Sequence, residues 1–248
     1  MAKKTVKAKI RVDPVRNLRK GSMKKKGKIS NRVNKTEAAE RVRKIWPILE
    51  KAYQGARTAL RYKNPLELLI ATILSAQCTD VRVNMVTGEL FRKYKSAKDW
   101  AKADIKEIES DIKSTGFYHN KAVSIKGACT GIIERFGGEV PGTMEELLEL
   151  PGVGRKTANV VLGNAFGVPA IACDTHVIRL SRRLGLSDNS DAVKLEYDLA
   201  EIIPKERWTV FSHMLILHGR GVCKARKPDC SICPIDKFCP AANNPALW

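Results

Sequence analysis

From residue 36 onward, apolar residues recur at three- and four-residue spacing along nearly the whole chain, and strict apolar–polar alternation is scarce. That pattern predicts an essentially all-α protein with short connectors. Residues 36–57 place Trp46, Ile48, Leu49 and Tyr53 on one side, with Thr36 positioned to cap the start. Asn64 caps a second helix whose first position is Pro65, and the LELLIATILSAQ that follows is nearly all apolar, which predicts a central, buried helix. Shorter helical patterns cover 80–94, 100–112, 120–136 and 143–150, punctuated by Ser96, Gly116 and the Gly137–Gly138 pair. No internal repeat is evident.

The pattern tightens over residues 147–174, LLELPGVGRKTANVVLGNAFGVPAIACD. Pro151 stops one helix, because its ring clashes with the preceding turn and it has no N–H to give. Gly152 and Gly154 then build a turn, free to take positive φ and to let a phosphate approach bare backbone. Ala158, Val161, Leu162 and Ala165 open a second helix at once, so free N–H groups and the positive dipole end gather around Val153, Gly154, Arg155, Lys156 and Thr157. Two nucleotide motifs fail here: Arg155 stands where a P-loop needs glycine, and Thr157 stands where a dinucleotide fingerprint needs its third glycine. An ordinary helix–helix connector with a glycine cap remains the plain alternative.

Charge changes the picture more than composition does. The chain has 248 residues, 44% of them hydrophobic, which is enough for real cores. Its formal charge is +19, but residues 1–35 hold fourteen lysines and arginines against one acid, Asp13, so +13 lies in the tail. A run with that bias and no apolar spacing is expected to be disordered and free to lie along a polyanion. A solubilising arm or a targeting signal is the competing reading. The longest apolar run, 66–74, is too short to span a membrane, and no signal peptide is visible. A soluble, monomeric, intracellular protein is expected: cytoplasmic and nucleoid-associated in a prokaryote, nuclear or mitochondrial in a eukaryote.

Candidate chemistry sits in four places. Gln77 ends the most buried helix with an amide, and Phe117 lies in a loop after Gly116, where an exposed aromatic could wedge into a base stack. For each, a cap or a ring folded onto the core is the plainer reading. Asp174 precedes Val177, Ile178 and Leu180, so it reads as an N-cap, a role compatible with catalysis because a cap carboxylate stays ionised. The four histidines show no metal-ligand spacing. Cys223, Cys230, Cys233 and Cys239 form C-x6-C-x2-C-x5-C, and short loops let four thiolates converge on one centre at little entropic cost. Spacing alone does not separate zinc from iron–sulfur, and disulfides suit an intracellular chain poorly. Lys224, Arg226 and Lys227 make the first inter-cysteine loop cationic, which favours a DNA backbone as partner.

Taken together, LPGVGRKTANVVL, Asp174-Thr175-His176, LSAQ-x-TD at 74–80, GFYHNKA at 116–122 and LHGR with the four cysteines resemble the endonuclease III family of helix-hairpin-helix DNA glycosylases. The likeness runs from about residue 36 to 240 and leaves the basic tail outside. It implies an all-α fold: a six-helix barrel domain over 58–168 carrying the hairpin, and a discontinuous helical [4Fe-4S] cluster domain from 36–57 plus 169–248. DNA would lie across the cleft between them. Lys156 matches the family's catalytic lysine, Asp174 its catalytic aspartate and the four cysteines its cluster ligands. Gln77 and Phe117 fall where the family fills the space left by a flipped nucleotide, with Phe117 standing in for the family's leucine.

The resemblance also implies the substrate, duplex DNA with damaged pyrimidines or abasic sites, and a reaction through a lysine Schiff base with β-elimination. A free lysine is nearly all ammonium at neutral pH, so a site at a helix's positive end, beside Arg155 and partly buried, is expected to favour the neutral amine at Lys156. A sister enzyme that removes mispaired adenine shares the hairpin and cysteines but carries another residue at the lysine. A non-catalytic DNA-binding module would need neither Lys156 nor Asp174.

Overall fold

The computed structural model describes residues 33–242 and 244–247, and among them every regular element is a helix. The tail through residue 32, expected to be disordered and to lie on a polyanion, falls outside the described residues. No helix in the described part is long and apolar enough to cross a membrane.

Local chemistry explains where the elements begin and end. α1 (Lys35–Ala52) starts one residue earlier than the pattern suggests, because Asn34 and not Thr36 is the cap: its side chain accepts from the N–H groups of Thr36 and Glu37. α2 (Pro65–Leu74) starts as expected, with the Asn64 side chain accepting from the N–H of Glu67 and Pro65 at the first position. It ends three residues before Gln77, so that amide lies in the following turn and not on the helix. α3 is Asp80–Lys93.

The expected helix over 100–112 is two helices. α4 (Ala97–Lys102) opens with a capping box between Ser96 and Asp99, and α5 (Ile105–Ile112) opens on Asp104, whose side chain accepts from the N–H of Lys106. A good cap in the middle of a helical pattern restarts the chain in a new direction. α6 (Tyr118–Phe136) and α7 (Met144–Leu148) lead to the glycine turn, α8 (Arg155–Ala165) follows it, and α9 (Thr175–Arg183) starts at the Asp174 cap. The pattern left α10 (Ala192–Ile202) and α11 (Trp208–Gly221) unassigned.

Two hydrophobic cores form within residues 32–248. The first gathers Leu68, Leu69, Leu74, Trp100, Ile125 and Val161 from α2 to α8. The second joins α1 to the C-terminal helices: Ile45, Leu49, Val177, Leu180, Leu199 and Met214 are all fully buried. Trp46 stacks on Phe211 with ring centroids 6.1 Å apart, and Arg207 caps the same indole at 4.5 Å. The link between residues 165 and 175 passes from one core to the other, since Ala172 packs in the first and Ile171 and Cys173 in the second.

Candidate active site and cysteine centre

The glycine turn is built as a plug and a bare rim. Leu147, Leu150 and Val153 point into the first core, so Val153 can offer a ligand its backbone but not its side chain. Gly152 alone takes the left-handed backbone, with φ of 75°, and a Cβ there would sit 2.4 Å from the Cβ of Ser124 on α6. No other residue fits both the conformation and the approach. Gly154 is extended with φ of −92° and does not use the freedom to take positive φ, and a Cβ on it would meet open space. Its lack of a side chain leaves α8 without a side-chain cap, so the first N–H groups of that helix face outward unsatisfied. Thr157 is half-buried one turn on.

Arg155, expected at the DNA-binding turn beside Lys156, is engaged within the protein. Its Nε donates to Glu196 Oε2 at 2.8 Å and one terminal nitrogen donates to Oε1 at 2.7 Å, a bidentate pair with α10 of the second core. Asn159 joins the clamp by donating to Glu196 at 2.8 Å and to the Ile171 carbonyl at 3.0 Å. The Tyr197 ring lies 5.4 Å from the guanidinium. Arg155 and Asn159 share a face of α8, so the amino end of that helix is fastened to the second core.

Lys156, next along α8, is exposed and not partly buried as expected, and its ammonium has no hydrogen-bond or ion-pair partner among the described residues. It lines the mouth of a pocket between the cores together with Asp174, Ser75, Asp80, His213 and Arg220. Asp174 is half-buried, and its Oδ1 accepts from the N–H groups of His176 and Val177 at 2.8 and 2.9 Å. Those bonds and the dipole of α9 hold its carboxylate toward the pocket. Asp80 and Arg220 form an ion pair at 2.6 Å across the two cores beside it. His213 donates its Nε2–H to Asn164 Oδ1 at 2.9 Å, and burial pulls its pKa down to about 4, so the pocket wall carries a neutral imidazole.

Gln77 and Phe117 are both exposed, Phe117 by 61%. They are also the two non-glycine residues among those described with positive φ, 52° and 49°. Strain of that kind is held only where the surroundings enforce it.

The four cysteines line one apolar cavity bounded by Leu180, Leu184, Ile235 and Ala241. Among the described residues no group of three or more metal-binding side chains is placed for a single ion. Arg183, 3% exposed, donates to Cys223 Sγ at 3.3 Å and to the carbonyls of Lys224 and Ala225, while Arg179 donates to the carbonyls of Gly219 and Cys223. Neither arginine has a carboxylate partner among the described residues. A buried guanidinium facing sulfur calls for negative charge there. These anchors leave the side chains of Lys224, Arg226 and Lys227 exposed on the outer rim of the loop. His218 sits between the centre and α1, 2.8 Å from the Tyr53 hydroxyl and 3.5 Å from Cys233 Sγ.

Sequence reasoning did not find Glu196, which lies 41 residues from Arg155, nor Lys121, Asn159 and Arg220. Only Lys121 left a signal: it falls on the apolar stripe of α6 with Ile125, Ala128 and Ile132, where a lysine needs an internal partner.

The chain from residue 70 to 205 matches the HhH-GPD superfamily of base excision DNA repair proteins. It is 55% identical to the endonuclease III of Synechocystis sp. over 204 residues, covering 82% of this chain and 93% of that one. Identity to the endonuclease III of Bacillus subtilis is 52% over 188 residues, 75% of this chain and 86% of the other. A solved structure of a trapped endonuclease III–DNA covalent intermediate, an estranged-adenine complex, superposes with a TM-score of 0.80 at 46% identity, covering 83% of this chain and 97% of that one.

Proposed function

This chain belongs to the endonuclease III family, within the helix-hairpin-helix superfamily of base excision repair proteins, and from that premise we propose which of its residues do the family's work. The protein is a bifunctional DNA glycosylase and abasic-site lyase, excising oxidised pyrimidines from duplex DNA and cutting the strand 3′ to the abasic site. Its two cores act as two domains, 58–168 and 36–57 with 169–248, and DNA lies across the cleft between them.

A damaged pyrimidine inside a duplex is out of reach, so it is extruded at a cost of a few kcal/mol, least for a base already weakly paired. The outward N–H groups at the start of α8, with Gly154 leaving them bare, hold the backbone phosphate beside the lesion. Gln77 and Phe117 fill the gap that the base leaves. Asp174 takes a proton from Lys156, whose nitrogen then bonds to C1′ as the C1′–base bond breaks; the base leaves with that electron pair and picks up a proton. Ring opening gives the protonated Schiff base. Loss of a C2′ proton expels the 3′ phosphate by β-elimination, and water releases Lys156.

Cys223, Cys230, Cys233 and Cys239 would hold a [4Fe-4S] cluster. The fit rests on the thiol-lined apolar cavity and on Arg183, whose buried positive charge suits four thiolates. When bound, the cluster supplies iron–sulfur bonds that tie four loop positions together; Arg183 and Arg179 then present the basic rim to the phosphates. A yellow-brown colour with matching iron and sulfide content would support this, and bound zinc would overturn it.

One observation carries the catalytic reading: Lys156 and Asp174 open separate helices, yet line the same pocket. Borohydride should trap the protein covalently on abasic-site DNA, and Lys156→Ala should abolish trapping. Undiminished trapping by that variant would refute the assignment.

A further inference from the structure

Lys121 is 4% exposed on the first full turn of α6 and forms no ion pair among the described residues. Its ammonium donates at 2.8 Å to the carbonyl of Leu74 and at 2.8 Å to the carbonyl of Thr115. Both acceptors are at helix ends: Leu74 is the last residue of α2, and Thr115 closes the short 3-10 turn after α5. Carbonyls there have no partner within their own helix and form its negative end, so one cation satisfies both and offsets two dipoles. Burial draws the lysine's pKa below 10.5, against a smaller opposing influence from Cys78. The lysine is thus held inside although its charge would favour water, and it does not line the pocket that holds Lys156 and Asp174.

What it joins is specific. Gln77 stands three residues beyond Leu74, and Phe117 two residues beyond Thr115; these are the two non-glycine positions with left-handed backbone in the described chain. Left-handed backbone at a branched or bulky side chain relaxes unless its flanks are fixed. Among the described residues, Lys121 is the only side chain that bonds to both flanks.

We propose that Lys121 is a positioning residue for base extrusion, its ammonium locking the Gln77 turn and the Phe117 loop together so that both side chains enter the stack as one preformed wedge. This rests on the reading above that Gln77 and Phe117 fill the vacated space. Stiff insertion matters for duplex substrates, where unstacking must be compensated, and hardly at all for a sugar already lacking its base or partner strand.

The test uses the full-length protein with Lys121→Met, of similar bulk without the charge, Lys121→Gln as a second variant that keeps a donor, and Gln77→Ala and Phe117→Ala as references. Single-turnover excision of one oxidised pyrimidine from duplex DNA should fall about 10- to 100-fold in Lys121→Met, with kcat affected more than KM. Borohydride trapping on a single-stranded abasic oligonucleotide should stay within about twofold, because no extrusion is needed. Hydrogen exchange should rise in 75–79 and 115–118 and not in α8. Unchanged duplex excision, or equal loss on both substrates, would overturn the proposal; should Lys121→Met fail to fold, Lys121→Gln, too short and uncharged to hold both carbonyls as the ammonium does, should show the same loss confined to the duplex, and its absence would overturn the proposal. If Gln77→Ala and Phe117→Ala leave duplex excision intact, the wedge reading itself fails; if they slow it while Lys121→Met does not, only the clamp does.

Discussion

The core around α2 and α6 and the core around α1 and α11 finish their open ends with different materials. In the first, apolar packing is complete, and the reactive or inserted residues are mounted on its rim: Gly152 against Ser124, Gln77 and Phe117 on strained turns, Lys156 exposed on α8. In the second, packing gives out toward residues 223–239, where helices are reduced to single 3-10 turns and buried arginines reach for loop carbonyls and a thiol. The contrast teaches that precision in this molecule has two sources. One is dense side-chain packing that over-determines a few turns; the other is charge that must be matched by something the chain alone does not provide.

The largest effect should separate chemistry from architecture. Lys156→Ala removes an exposed side chain with no partner among the described residues, so thermal stability should be nearly unchanged while base excision falls by on the order of 10³ or more; a large loss of melting temperature would place the residue in the scaffold instead. The reverse should hold in the second core. Cys233→Ala should lose the colour and the protection of 223–239 from proteolysis, because metal binding and folding of such a segment are one event, while borohydride trapping persists more than the colour does. A variant that keeps its colour would break the comparison.

An intermediate effect comes from His213, between the cores. Its folded pKa of about 4 lies below the ordinary 6.5, so the folded state binds fewer protons in that window. Stability is therefore full above about pH 6.5 and is lost as the pH falls toward 4, by about 3 kcal/mol at most. His213→Gln should flatten that part of the stability profile. The Arg155–Glu196 clamp is smaller still: Glu196→Gln keeps the shape but removes the charge, costing about 1.5–3 kcal/mol, read as a lower kcat with KM little changed if the clamp aims Lys156. Least of all, Lys224→Ala, Arg226→Ala and Lys227→Ala should each reduce the salt slope of DNA binding by about one and leave chemistry alone.

Features set by neighbours in sequence were legible in the chain. Asn64 with Pro65, Gly152, and Asp174 before Val177 announced their elements, because caps and turns depend on side chains within four residues. The break between α4 and α5 was hidden only because Asp104 was read as part of a run and not as a cap. Distant partnerships were illegible. Nothing in a basic residue after Gly154 says that Glu196 will claim it, or that Lys121 will turn inward to two carbonyls; those facts arise when helices far apart in the chain are laid together.

The second core borrows α1 from the opposite end of the chain, and this has a consequence during synthesis. α1 leaves the ribosome complete, with Ile45 and Leu49 along its apolar stripe, but α9 begins only at Thr175. At 5–20 residues per second it waits on the order of ten seconds, unpaired, while the first core folds in between. For that interval the nascent chain displays the apolar stripe of α1, Ile45 and Leu49 included, without the helices that later bury it.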